Sequence, residues 1–385
     1  MVLHLILTSL KPLRMYVLLN NLANSLISPF VSFFAAANGI TGSLLAIVSS
    51  AGTTFPGIMQ YVLANLYVKA KKLILVSTLI AGLLWISIGA FVIFNSTFVL
   101  IYVIITLCWG AAGFGWLLIL DKVSATARGR TLAYYNFYSY MGGLIATFIT
   151  GFIVGDELYL MRYFFIIGGL IYLINVYIIL HFDVDSEIVK SKARLFTSNP
   201  EVRKFLLINF TFTFVWSMAW PLFPLAQVYK FHMNELNIAT LSVIGGVSTL
   251  ALQRFIGKLV DKHRKYIMFF GRFALATFPF AYAFSTSVYE IYLANLVSGF
   301  TNSASISYTA FLFDNSSYYE KRINIALFNM LSGIAALSGS TLSSFIVTLI
   351  SSRLGLVTAV NFMLISIGIL RIITSFLYLK VKEKS

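Results

Sequence analysis

Side chains able to make or break bonds are scarce in this chain of 385 residues, which holds 13 carboxylates, four histidines and one cysteine. His4, His181, His232 and His263 show no metal-ligand spacing, and Cys108 alone can form neither an internal disulfide nor a cysteine metal cluster. No Asp, Glu or His stands in the middle of a long apolar stretch. Acid-base or metal chemistry needs such groups converging in a protected pocket, so neither an enzyme nor a cofactor is expected. The apolar stretches carry amides, hydroxyls and large rings instead: Asn24 and Ser28, Trp109 and Trp116, Trp216 and Trp220, Asn302 and Tyr308. Such groups hold a ligand by a few hydrogen bonds and by stacking, which suits a small neutral or weakly polar molecule. The plainer role of any one Ser or Asn there is to bond a neighbouring helix.

The elements that must position these groups are membrane helices. Hydrophobic residues make up 59% of the chain and charged residues 11%, with a mean hydropathy of +0.88, more apolar surface than a water-soluble fold can hide. Crossing about 30 Å of hydrocarbon takes about 20 helical residues. Stretches of that order lie at 15–37, 43–67, 73–94, 97–120, 131–155 and 161–181, and again at 205–229, 237–260, 266–287, 289–313, 323–350 and 355–379, twelve spans in all. Helix is required because lipid offers the backbone no partners. With both termini on the cytoplasmic side, every Lys and Arg except Arg162, Lys230, Arg353, Arg272 and Arg371 falls in a cytoplasmic segment, as the positive-inside rule demands. The net charge of +15 is then a topological signal and an attraction to anionic lipid, and no nucleic-acid partner is expected. Arg272 and Arg371 fall well within spans. They are expected to snorkel toward the cytoplasmic headgroups, the alternative being to bind an anionic substrate or a lipid headgroup.

A shift of 193 residues lays the chain on itself. It pairs Asp121 with Asp314, Ser124 with Ser317, Asn136 with Asn329, Ser139 with Ser332, and Phe152-Ile153-Val154 with Phe345-Ile346-Val347. The same register carries Gln60 onto Gln253, Lys69 onto Lys262 and Lys72 onto Lys265. The chain therefore reads as two copies of one unit, each of six spans, over residues 1–182 and 201–385, with a mixed-charge linker at 183–200.

Two six-helix halves in parallel repeat, with both termini inside and a charged central loop, resemble the major facilitator superfamily of secondary transporters. The loop Gly257-Lys-Leu-Val-Asp261-Lys-His-Arg264-Lys265 is similar to that family's pattern of Gly, three residues, Asp and basic residues, without its second glycine. The first-half equivalent keeps Lys69, Lys71 and Lys72 but has Ala64 for the glycine and Val68 for the aspartate, so the second-half latch is the better formed. The turn Asp121 to Arg128-Gly129-Arg130 resembles the family's acidic-then-RG pattern, and Asp314 to Lys321-Arg322 is its copy.

The resemblance implies an all-α membrane protein of two six-helix bundles, multi-pass in the cell membrane, monomeric and in contact with lipids. It implies a cavity for a small-molecule substrate between the halves, lined mainly by spans one, four, seven and ten, and so places Asn24, Ser28, Trp109, Trp116, Trp216, Trp220, Asn302 and Tyr308 there. Spans two and eleven face each other across the halves in that family, as do spans five and eight. Amide contacts Gln60 to Asn329 and Asn136 to Gln253 are then expected in the cytoplasm-closed state, with Asp121, Arg128, Arg130, Asp261, Arg264 and Asp314 in cytoplasmic latches. The expected function is alternating-access transport of a neutral or weakly polar solute, with export of lipophilic compounds or drugs as the alternative. A membrane enzyme lacks its clustered acids or histidines, and a sensor built on this fold lacks a sizeable soluble domain.

Overall fold

A computed structural model describes residues 11–64, 66, 68–123, 143–186, 197, 199–316 and 320–382. These residues form α-helices and two short 3-10 segments. The first half begins with α1 (Lys11–Ile27) and α2 (Val31–Ala37), followed by α3 (Gly42–Leu63), α4 (Ala70–Phe91), α5 (Ser96–Val123), α6 (Gly143–Val154) and α7 (Met161–Leu180). The second half runs through α8 (Pro200–Ser217), α9 (Leu222–Tyr229), α10 (Glu235–Ala274) and α11 (Thr277–Phe284). It continues with α12 (Val288–Asn295), α13 (Ser298–Ala304), α14 (Ile306–Asp314), α15 (Lys321–Leu354) and α16 (Leu356–Ser375).

Nine helical runs among the described residues are long and apolar enough to cross a membrane. One of them, Glu235–Phe284, is 50 residues long and covers both stretches read at 237–260 and 266–287. Inside it His263 leaves the helical region, with φ −139° and ψ 45°. The stretch at 289–313 forms three short helices, α12 to α14, and the one at 131–155 is described from Gly143 onward. Large apolar side chains such as Phe91, Phe152 and Leu293 stand exposed on the outside, an arrangement that hydrocarbon accepts and water would not.

Prolines set two of the breaks. A proline offers no N–H to the carbonyl four residues earlier, and α1 gives way to α2 around Pro29 as α8 gives way to α9 around Pro221. Hydroxyls of neighbouring helices donate to the carbonyls four residues before the prolines, and the Trp220 amide also donates to that of Ser217. Thr147 on α6 donates its hydroxyl to the Ser25 carbonyl at 2.9 Å, and Ser340 on α15 donates to the Ser217 carbonyl at 2.9 Å. Thr147 and Ser340 are themselves partners in the 193-residue register.

Glycines bring the two sequence halves together. On the α3–α15 seam a methyl at Gly57 would meet the Asn329 carbonyl, and one at Gly333 would sit 2.8 Å from the Thr54 carbonyl. Thr54 donates to the Gly333 carbonyl at 3.0 Å and Ser344 to the Gly42 carbonyl at 2.7 Å, so the seam is bonded along most of α3. On the α6–α10 seam a methyl at Gly151 would stand 2.7 Å from the Glu235 carbonyl. Beside it Asn234 donates to Asp156 at 2.8 Å, and the Glu235 amide donates to the Gly155 carbonyl at 3.2 Å. Close backbone approach of this kind is how helices gain packing energy where lipid offers no hydrophobic drive.

Candidate functional site

Where the α1–α2 and α8–α9 breaks face one another, a cavity of about 670 Å³ opens between helices of the first and second halves. The first half contributes Pro29, Ser32 and Phe33 from the first break, and Ser49 and Thr53 from α3. Trp220, Phe223, Pro224 and Gln227 come from the second break and α9. Ile238, Leu241, Ser242, Gly245 and Gly246 come from α10 and Tyr282 from α11. Asn295, Ser298 and Asn302 complete the described wall from α12 and α13. None of these residues is charged. Several are already oriented: Gln227 donates to the Tyr282 hydroxyl at 2.8 Å, Ser298 to the Asn295 amide oxygen at 2.9 Å, and Asn302 to the Thr249 hydroxyl at 3.1 Å. Rings of Trp220, Phe223 and Tyr282 beside hydroxyls and amides make a surface for stacking and hydrogen bonding.

Of the side chains expected to face a ligand, Trp220 and Asn302 line this cavity, and the structure places the others in different surroundings. Ser28, in the turn after α1, donates to the Asn24 amide oxygen at 2.5 Å. Trp109 packs with Trp85 and Tyr102 in the aromatic core of the first half. Trp116 lies on Tyr16, with ring centroids 5.3 Å apart. Trp216 and Tyr308 pack around Arg272, whose guanidinium carbon is 5.2 Å and 4.3 Å from their ring centroids. Depth along a helix can be read from residue number, whereas the direction a side chain points is set by packing. Two of the cavity residues missed in the sequence, Ser32 and Ser298, each lie four residues from a candidate, Ser28 and Asn302.

The two arginines do not snorkel. Arg272 is 5% exposed and Arg371 is fully buried. Arg371 donates to the carbonyls of Leu275 and Trp216, both at 2.6 Å, where α10 and α8 end. Arg272 donates to Asn209 at 3.0 Å inside a box of Phe212, Trp216, Tyr308 and Tyr378 rings. Asn209 also accepts from the Tyr378 hydroxyl at 3.0 Å and donates to Ser332 at 2.8 Å. The pull of nearby carbonyls and ring faces, stronger in a low dielectric than in water, holds these cations inside. Glu235 is the first residue of α10 and only 2% exposed.

A family model described as the Major Facilitator Superfamily matches residues 205–385. Solved structures match nearly the whole chain. The nucleoside transporter NupG, in mutant form, is 13% identical with a TM-score of 0.75, covering 97% of this chain and 100% of its own. An auto-inhibited POT family peptide transporter is 10% identical with a TM-score of 0.78, covering 98% of each chain. The human organic anion transporter MFSD10 (TETRAN) is 12% identical with a TM-score of 0.59, covering 96% of this chain and 98% of its own. The chain is thus similar to the major facilitator superfamily in its second half and shares the fold of these transporters over nearly its whole length. The family and these neighbours are transporters, not enzymes. No match was found among curated proteins.

Other groups named in the sequence sit toward the end of the bundle that holds the His263 break. Asn329 donates its amide to the Gln60 amide oxygen at 2.9 Å across the α3–α15 seam. Arg264 pairs with Asp314 at 2.7 Å, within the second half. Asp261 is exposed and Gln253 is half-buried on α10. Asn136, Arg128 and Arg130 lie outside the described residues, and of Asp121 only the helical backbone is described. Lys71, which the repeat register sets opposite Arg264, donates to the carbonyls of Leu180 and Phe182, each at 2.9 Å.

Proposed function

We propose that the protein is a secondary transporter that carries a small solute by alternating access, with the cavity at the facing proline breaks as its binding site. The supporting observation is the position and chemistry of that cavity: it lies between helices of both sequence halves, and its described wall is uncharged and rich in hydroxyl, amide and ring groups. We read the chain as twelve crossings in two six-helix units, 1–182 and 201–385, joined by the segment 183–200, with both termini at the cytoplasmic face of the cell membrane. The Gln60–Asn329 bond belongs to a contact that must part when the cytoplasmic side opens, and the Arg264–Asp314 pair braces the helix ends beside it. Asp261, Gln253, Asp121, Asn136, Arg128 and Arg130 are assigned to the same cytoplasmic region.

The volume admits a molecule the size of a nucleoside or a dipeptide, which are substrate sizes that the named nucleoside and peptide transporters make natural starting points. Export of lipophilic compounds is less well supported, because the hydroxyl and amide groups would be left unpaired against such a ligand. A thermal-shift screen of the purified protein against nucleosides, dipeptides, metabolites and drugs, at two pH values, tests this reading. A stabilising solute whose effect disappears when Trp220 and Asn302 are both replaced by Ala supports it. Stabilisation that survives both changes locates the ligand elsewhere and refutes it.

A further inference from the structure

The cavity wall is neutral, but a guanidinium stands behind two of its rings. Arg371 lies 5.9 Å from the centroid of Phe223, which faces the cavity. Trp220, also on the wall, packs edge-on against Trp216 at 5.1 Å, and Arg272 lies 5.2 Å over that same Trp216 ring. The groups that hold the two cations are carbonyls, one amide and aromatic faces. Dipoles and quadrupoles steady a cation locally, yet they carry no net charge and leave both positive monopoles in place. Only a carboxylate would cancel them. Among the described residues none pairs with either arginine, and the carboxylates on the second-half helices, Glu201, Glu235, Asp261, Glu290 and Asp314, stand at helix ends or beside the His263 break. Low-dielectric walls concentrate such a field in the nearest aqueous space, which is the cavity.

We propose that Arg272 and Arg371 bias the cavity toward solutes that carry an acidic group. The proposal rests on the cavity being the transport site, and it changes the solute expected from the lining alone. Hydroxyls and amides orient the molecule, while the charge behind the rings selects its sign. Because no arginine reaches the solute, no direct ion pair has to be broken for release, a useful property where a site must both load and empty.

The test reads the potential directly and needs no known substrate. Cys108→Ser removes the native thiol, and Ser32→Cys or Ser298→Cys places a single one on the cavity wall. Each variant, purified in detergent, is reacted with anionic sulfonatoethyl methanethiosulfonate and with cationic trimethylammonioethyl methanethiosulfonate. Each rate is divided by that of the same reagent with mercaptoethanol. Any change in thiolate fraction cancels in the ratio of the two, and salt near about 0.5 M screens surface lysines. The expected result is a preference of at least about fivefold for the anionic reagent. It should fall below about twofold with Arg272→Gln and persist with Arg272→Lys. Equal rates, a cationic preference, or a preference untouched by Arg272→Gln would overturn the proposal. Should Arg272→Gln fail to fold, the ratios at the two cysteines with both arginines present decide it alone. If neither reagent reaches either cysteine, the cavity is closed to solutes and the transport reading falls first, an outcome distinct from reaction without preference.

Discussion

Helices break around Pro29 and Pro221, one in each half of the chain, and the carbonyl four residues before each proline accepts from a hydroxyl of a neighbouring helix, Thr147 in one half and Ser340 in the other. What backs the two breaks differs. Behind the first, Phe34, Trp85, Phe98 and Phe165 pack ring against ring, with Trp85 and Phe165 stacked at 5.2 Å. Behind the second lie Arg272 and Arg371 with their carbonyl, amide and ring partners. In the repeat register these arginines stand where the first half has Leu79 and Ile178. A broken helix thus occurs in both halves of the sequence, while its support differs, an apolar cluster in one and a charged bracket in the other. The same asymmetry recurs at the helical positions 71 and 264, where Arg264 pairs with Asp314 but Lys71 donates to backbone carbonyls.

The largest effect should come from the bracket. Replacing Arg371 with Met strands the carbonyls of Leu275 and Trp216, at about 3 kcal/mol of stability, whereas Ile178→Ala should cost about 1 kcal/mol. Thermal unfolding in detergent would measure both, and equal losses would mean that the arginine is no more than filler. Next come the shared hydroxyls. Thr147→Val and Ser340→Ala should each cost about 1 kcal/mol, and adding Pro29→Ala to the first should recover part of the loss by restoring an N–H. A tenfold difference in effect between the halves would break the claim that one device serves both. The Gln60–Asn329 bond should show a coupling of about 1 kcal/mol in a double-mutant cycle with Gln60→Leu and Asn329→Leu, and independent effects would remove it as a contact of energetic weight. Smallest of all, Asp314→Asn should cost about 0.5 kcal/mol or less at low salt and nothing measurable at high salt, with Lys71→Gln insensitive to salt by comparison.

How legible these features were follows from the physics that places them. Membrane helices are announced by length and hydropathy alone, because lipid imposes one solution on the backbone. The Gln60–Asn329 contact was legible because a repeat fixes which residues are equivalent and the family resemblance supplies which helices face each other. Asn24, Trp109, Trp116 and Tyr308 fall off the described cavity wall because span number and depth leave the helix's rotation undetermined. Arg272 and Arg371 were misread for a related reason. A cation inside a span snorkels when it faces lipid and is held by carbonyls and rings when it faces the bundle, and hydropathy cannot tell those faces apart.

By itself the sequence determined that this chain enters a membrane as helices, that it repeats at 193 residues, and that proline interrupts the first helix of each half. Those outcomes depend on composition and backbone chemistry, which are local. Tertiary structure decided which hydroxyls satisfy the broken helices, where the cavity opens, and that two arginines stand buried behind its rings. These depend on the rotation and close approach of helices distant in the chain, which only the packed bundle fixes.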